Sequence, residues 1–234
     1  MKKLWKELRS VPLYAWIAGV VLYLMQQGLY SLSIVLSRVI GTDGNTFATK
    51  IAFLDDKIPL VPVFVVIYLY AFIVWIMGPG FTSLAGKHHF INYVTGLLLA
   101  YFIGFVIFTL FPTALDRQAE GALQAVAGSN DIFCKILNQV YTSDGGQFSR
   151  NLFPSFHCML STYCYLAVRG KEEVSKGVRI YSLVQAILVC LSTVFTKQHY
   201  IIDVPAGVLL AVGCNALMMK LNPADKILLK WQAK

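Results

Sequence analysis

The chain has 234 residues, of which 57% are hydrophobic and only 14% charged, and it carries a net charge of +8. That balance excludes an ordinary soluble domain, in which about a quarter of the residues are charged. Because the apolar residues fall in long runs, the positive charge reads as membrane topology and not as nucleic-acid binding.

Six apolar runs occur, at residues 11–39, 62–77, 93–111, 152–168, 180–195 and 204–221. Most come close to the roughly 20 residues that carry a helix across a bilayer. They predict an all-α fold, a bundle of six transmembrane helices forming one domain over residues 1–234, with both termini on the same side. That side, which holds the N-terminal segment, the 78–92 and 168–180 loops and the tail, carries 13 of the 20 Lys and Arg residues. The opposite side has 7 basic against 8 acidic residues, so the positive-inside rule makes the first side cytoplasmic. The small size and lack of a glycosylation-rich ectodomain point to a multi-pass protein of a bacterial plasma membrane.

In chain order, residues 1–10 are basic and carry Leu4, Trp5 and Leu8 as anchors of a short interfacial helix. The run that follows is too long for a signal-peptide core, so it is expected to be retained as a span. Within it Gln26 and Gln27 fall near mid-membrane, where amides mostly bond a neighbouring helix; a polar pocket is the other use. The outer loop 40–60 is rich in turn residues. The second span is expected to stop at Gly78-Pro79-Gly80, a strong helix breaker, leaving His88 and His89 in a cytoplasmic loop as interfacial residues. The third stops at Pro112.

The longest connection, 112–151, lies on the outer side. Within it residues 131–141 set Ile132, Phe133, Ile136, Leu137, Val140 and Tyr141 on one helical face, with Ser129 or Asn130 as cap. This predicts an amphipathic helix at the membrane surface. Five cysteines, four of them within spans, show neither a disulfide framework nor a zinc-site spacing.

Two stretches carry chemistry. In Pro154-Ser155-Phe156-His157, Ser155 suits the cap of the fourth span and puts His157 in its first turn, where unpaired backbone N–H groups favour an anion. In the second, His199 and Asp203 are four residues apart and share a helical face. A carboxylate on Nδ1 orients an imidazole and leaves Nε2 as nucleophile; Asp203 also suits the N-cap of the sixth span ahead of Val204-Pro205. Six-span topology brings both histidines to the outer face, along with Arg117, Arg150 and Lys197. Two histidines, a carboxylate and fixed cations describe a site for phosphoryl groups.

These residues resemble the type-2 phosphatidic acid phosphatase superfamily of integral-membrane lipid phosphatases, whose motifs run K-x-x-x-x-x-x-R-P, P-S-G-H and S-R-x-x-x-x-x-H-x-x-x-D. Pro154 to His157 is similar to the second, and Ser192, His199 and Asp203 match the third at full spacing. The resemblance implies that His199 attacks phosphorus to give a phosphohistidine and that Asp203 orients it. It implies that His157 protonates the leaving alcohol and then activates water. Ser155, Arg117, Lys197 and Arg150 would hold the phosphate, and neither a metal nor another cofactor is implied. The substrate would be a membrane lipid monophosphate or diphosphate with its tail in the bilayer.

Departures from the pattern are specific. Arg117 matches the arginine of the first motif, but Leu110 and Gln118 replace its lysine and proline; Phe156 replaces the glycine of the second, and Thr193 the arginine of the third. The S-T-x-x-x-x-x-H-Y-x-x-D-V form is also similar to the lipid phosphotransferase branch that includes inositol phosphorylceramide and sphingomyelin synthases, in which an alcohol replaces water as acceptor. A silent membrane protein that binds lipid phosphates is the third reading.

Overall fold

The computed structural model describes residues 7–44 and 46–232. It is mostly helical, and five of its helical segments are long and apolar enough to cross a membrane: α1 (Leu13–Val39), α3 (Val65–Ser83, led by a 3-10 turn at Pro62–Phe64), α4 (Lys87–Leu110), α8 (Lys176–Phe195) and α9 (Asp203–Leu221). These mark a membrane protein. The expected fourth span is the exception, because α7 (Phe156–Val168) has only 13 residues. At 1.5 Å per residue it rises about 20 Å, short of the roughly 30 Å hydrocarbon core. Residues 152–154 precede the Ser155 cap and are not helical, and the helix stops at Arg169-Gly170, where Gly170 has a φ of +71°.

This short helix sits in the middle. It packs against α3, α4, α8 and α9, while α1 lies outside against α3 and α4. The main core gathers Trp75, Leu97, Tyr101, Phe108, Met159 and Tyr163 around it. Glycine lets the helices approach closely at two places that matter to the site. A side chain on Gly104 of α4 would overlap the Phe156 ring, and one on Gly207 of α9 would overlap the Ser155 carbonyl.

Gly78-Pro79-Gly80 does not end the second span, which continues to Ser83. The two glycines serve contact instead: a Cβ on Gly78 would come within 2.6 Å of Cys164 Sγ, and Gly80 faces Trp16 and Val11. A proline inside such a helix is tolerated where neighbouring helices cover it. Helix α4 in turn begins earlier than expected, so His88 and His89 lie in its first turn and not in a loop. His89 Nε2 contacts the Ala167 carbonyl at 2.7 Å, and His88 pairs with Asp225 of α10 (Pro223–Gln232) at 2.7 Å. Leu4 and Trp5 lie outside the described residues; Leu8 packs with Phe81, Val174 and Val178.

At the other end of the bundle stand α2 (Ala52–Asp55), strands β1 (Ala114–Asp116) and β2 (Phe148–Arg150), and helices α5 (Ala122–Ala127) and α6 (Ile132–Ser143). The strands pair antiparallel, with Leu115 opposite Ser149, and close a hairpin around α5 and α6. Asp131, and neither Ser129 nor Asn130, caps α6, accepting from the Cys134 N–H at 2.9 Å. The apolar face of α6 buries Cys134, Leu137 and Tyr141 against α5, α3 and the Pro62–Phe64 turn, so it packs on protein.

Candidate active site

Ser155 caps α7 through a bond from the Cys158 N–H to its Oγ at 3.4 Å, as expected, and this sets His157 in the first turn. The Ser155 N–H in turn donates to the Asp203 carbonyl at 3.1 Å. Gly207, one turn into α9, permits that contact. The starts of α7 and α9 are thereby joined, and the two histidines meet: their ring centroids are 6.2 Å apart, inclined at 61°.

His157 is held by aromatic rings. It stacks on Tyr68 at 4.1 Å and meets Trp75 and Phe72 edge-on at 4.8 and 5.4 Å. Its Nε2 has no hydrogen-bond partner among the described residues. His199 lies in the 196–202 connection between α8 and α9. Its Nδ1 is 3.4 Å from Asp203 Oδ2, an ion-pair distance, but the angle is not that of a hydrogen bond and Nδ1 stays unbonded. Asp203 is fully buried and its Oδ2 accepts from the Tyr200 N–H at 2.9 Å. It therefore stands in the first turn of α9 without capping it, and its carboxylate turns back toward the histidine loop.

Both histidines line a cavity of about 340 Å³. Tyr68, Phe72, Trp75 and Phe156 form its apolar wall; Gln26, Gln27, Ser143, Asp144, Arg150, Asn151 and Gln198 supply polar groups. Gln26 and Gln27 thus face the cavity; Gln27 bonds Tyr23 of its own helix at 3.1 Å, and Gln26 Oε1 has no partner.

The cations divide. Arg150 lines the cavity and pairs with Asp43. Arg117 is fully buried and is not among the lining residues. Its Nη1 donates to the Gly146 and Asp144 carbonyls at 2.7 and 3.2 Å, its Nη2 to Asp144 Oδ2 and Gln198 Oε1, both at 2.5 Å, and the guanidinium covers the Tyr141 ring at 4.6 Å. Lys197 turns elsewhere, its Nζ donating to the Asp55 carbonyl at 3.1 Å and facing a separate cavity with Lys50 and Glu120. There Asp56 first, and then Glu120, raises the Lys50 pKa above its ordinary value.

Of the motif departures, Thr193 is buried and its carbonyl accepts from the Gln198 and His199 N–H groups at 3.0 and 3.1 Å. Phe156 packs on Phe108 at 4.7 Å in the space that Gly104 leaves. Sequence reasoning passed over Asp55, an aspartate that lies 2% exposed in the 40–60 loop. Nothing in its sequence neighbourhood marks it. Asp144, which Gly145 and Gly146 mark only as a turn residue, pairs with Arg117 at the cavity wall.

A family model described as the PAP2 superfamily matches residues 38–217, more than half of the chain, which therefore belongs to that superfamily. Neither a curated protein nor a solved structure matches it.

Proposed function

We propose that this member of the PAP2 superfamily is a lipid phosphate phosphatase that hydrolyses a phosphomonoester or diphosphate lipid through a phosphohistidine, without a metal. The observation that carries the reading is the pair of histidine rings 6.2 Å apart on one cavity, one of them beside a buried carboxylate. In-line transfer needs a nucleophile about 3–3.5 Å from phosphorus and an acid within hydrogen-bond reach of the leaving oxygen on the far side. A centroid separation of 6.2 Å supports a single phosphoryl group reached by both rings.

His199 Nε2 attacks phosphorus while Asp203 keeps the proton on Nδ1 and offsets the charge that develops on the ring. The bond to the lipid alkoxide breaks as His157 gives it a proton. The same imidazole, now neutral, takes a proton from water, whose oxygen attacks the phosphohistidine and releases inorganic phosphate and His199. Arg150 and the N–H groups at the start of α7 stabilise the phosphoryl oxygens.

The lipid tail occupies the bilayer beside α1 and α3, whose residues Gln27, Leu69 and Phe72 border the cavity. By the charge distribution the termini are cytoplasmic and the site faces outward. Phosphate release from phosphatidate, phosphatidylglycerophosphate and polyprenyl diphosphate, measured on purified protein with EDTA present, tests the reading; wild-type rates in His199→Ala would reject it.

A second reading, transfer to an alcohol in place of water, is favoured by the uncharged hydrogen-bonding groups of Gln26, Gln27, Ser143 and Asn151 on the same wall. Offering a second hydroxylated lipid or polyol in that assay separates the two, since transfer consumes substrate without liberating phosphate.

A further inference from the structure

The 196–202 connection has no helix or strand to define it, yet it carries His199. Besides the bonds of its Gln198, His199 and Tyr200 N–H groups to the flanking helix ends, it is held from elsewhere in the chain. Asp55, at the end of the short α2, reaches it from more than 140 positions earlier in the chain. Its Oδ1 accepts from the Ile201 N–H at 2.8 Å, its Oδ2 from the Ile51 N–H at 2.6 Å, and its carbonyl from Lys197 Nζ at 3.1 Å. A few residues on, the Val61 N–H donates to the Phe195 carbonyl at 2.8 Å, where α8 ends. The strap from 51 to 61 therefore grips the connection on both sides of His199. Asp55 is 2% exposed, so its bonds do not compete with bulk water.

We infer that Asp55 is a positioning residue for the reaction: its carboxylate fixes the backbone at Ile201, two residues past His199, and so sets the imidazole against His157 and Asp203. The inference rests on the phosphohistidine reading of the site. Displacing a reacting group by about 1 Å costs on the order of 100-fold in rate, whereas the cavity lining other than Gln198 and His199 comes from elements that Asp55 does not hold.

The test uses purified full-length protein and phosphatidate in detergent mixed micelles, comparing Asp55→Ala, Asp55→Asn and His199→Ala. Asp55→Ala is expected to lower kcat by about 100-fold with KM within about twofold, because the loss falls on orientation and not on binding. Asp55→Asn keeps an acceptor for Ile201 while turning its NH2 on the Ile51 N–H, and is expected to recover kcat to about 3–10-fold below wild type. A wild-type kcat in Asp55→Ala, a raised KM at unchanged kcat, or an Asn variant no better than Ala would overturn the inference. Should Asp55→Ala not fold, Asp55→Asn decides it: a kcat about 3–10-fold down at constant KM supports it, and a wild-type kcat rejects it.

His199→Ala separates the two claims. If it still turns over, the phosphohistidine reading fails; if it is inactive while Asp55→Ala is not, only the role of Asp55 fails. Carbethoxylation of His199, followed by peptide mass with His88 as internal reference, needs no substrate and decides the matter should phosphatidate not be turned over. Faster modification of His199 in the Asp55 variant supports the inference, and equal rates reject it.

Discussion

Arg117 donates from Nη2 to Gln198 Oε1 at 2.5 Å, so the cation that the sequence offers to the phosphate is bonded to the residue just before His199. The same nitrogen holds Asp144, which is 30% exposed at the cavity wall. Replacing Arg117 by Leu leaves that carboxylate with the Ser149 and Tyr30 hydroxyls but without its charged partner. We expect a loss of about 3 kcal/mol, the low end for a broken buried pair because Asp144 keeps some solvent. Arg117→Lys should recover little, since an ammonium cannot reproduce the fork that binds carbonyls, carboxylate and amide together. Thermal unfolding in detergent measures both.

The two imidazoles should be separable by the step each one serves. His199→Ala is expected to abolish alkali-stable phosphoenzyme and turnover together. His157→Ala and Asp203→Asn are expected to retain lipid binding and to lower kcat by about 100- to 10,000-fold, the range for loss of general acid–base assistance or of the group that orients it. Single-turnover measurements with radiolabelled phosphatidate check the order.

Cations on different walls predict different kinetics. Arg150→Ala should raise KM by roughly tenfold or more, as expected for loss of a charged hydrogen bond to the phosphoryl group. Lys197→Ala should leave KM within about twofold, because that ammonium faces the Asp55 carbonyl and the second cavity. Steady-state kinetics on one lipid series compares them.

Phe156 and Gly104 should be energetically coupled. Gly104→Ala forces a methyl into the Phe156 ring and is expected to destabilise by about 1–3 kcal/mol. Phe156→Ala alone opens a cavity that costs about 3–5 kcal/mol. In the double variant the added methyl occupies part of the vacated space, so the two losses should sum to less than their separate values. A double-mutant cycle on unfolding midpoints reads the coupling.

The site was legible where the chemistry is local. Ser155 as cap and His157 in the first turn follow from helix geometry; His199 does lie close to Asp203, but from the 196–202 connection and not on a shared helical face, because α9 begins only at Asp203. What escaped depends on distant partners. Gly78-Pro79-Gly80 has the composition of a turn, yet it is helical, with Cys164 and Tyr93 packed against Gly78 and Trp16 and Val11 against Gly80. Asp55 carries no motif, and its meaning lies in an N–H at Ile201 that no spacing rule reaches. Arg117 was found by its motif and assigned to phosphate, because the carbonyls of Tyr141, Asp144 and Gly146 that engage it are brought there by a hairpin absent from the periodicity.

The brevity of α7 has its own consequence. A helix that meets lipid settles at the height where its apolar length matches the surrounding membrane, and it shifts when the membrane thins or thickens. Helix α7 is sheathed by α3, α4, α8 and α9, so its neighbours fix its depth. His157 should therefore ride at an elevation dictated by protein contacts, and its distance from His199 is expected to depend little on the thickness of the surrounding bilayer.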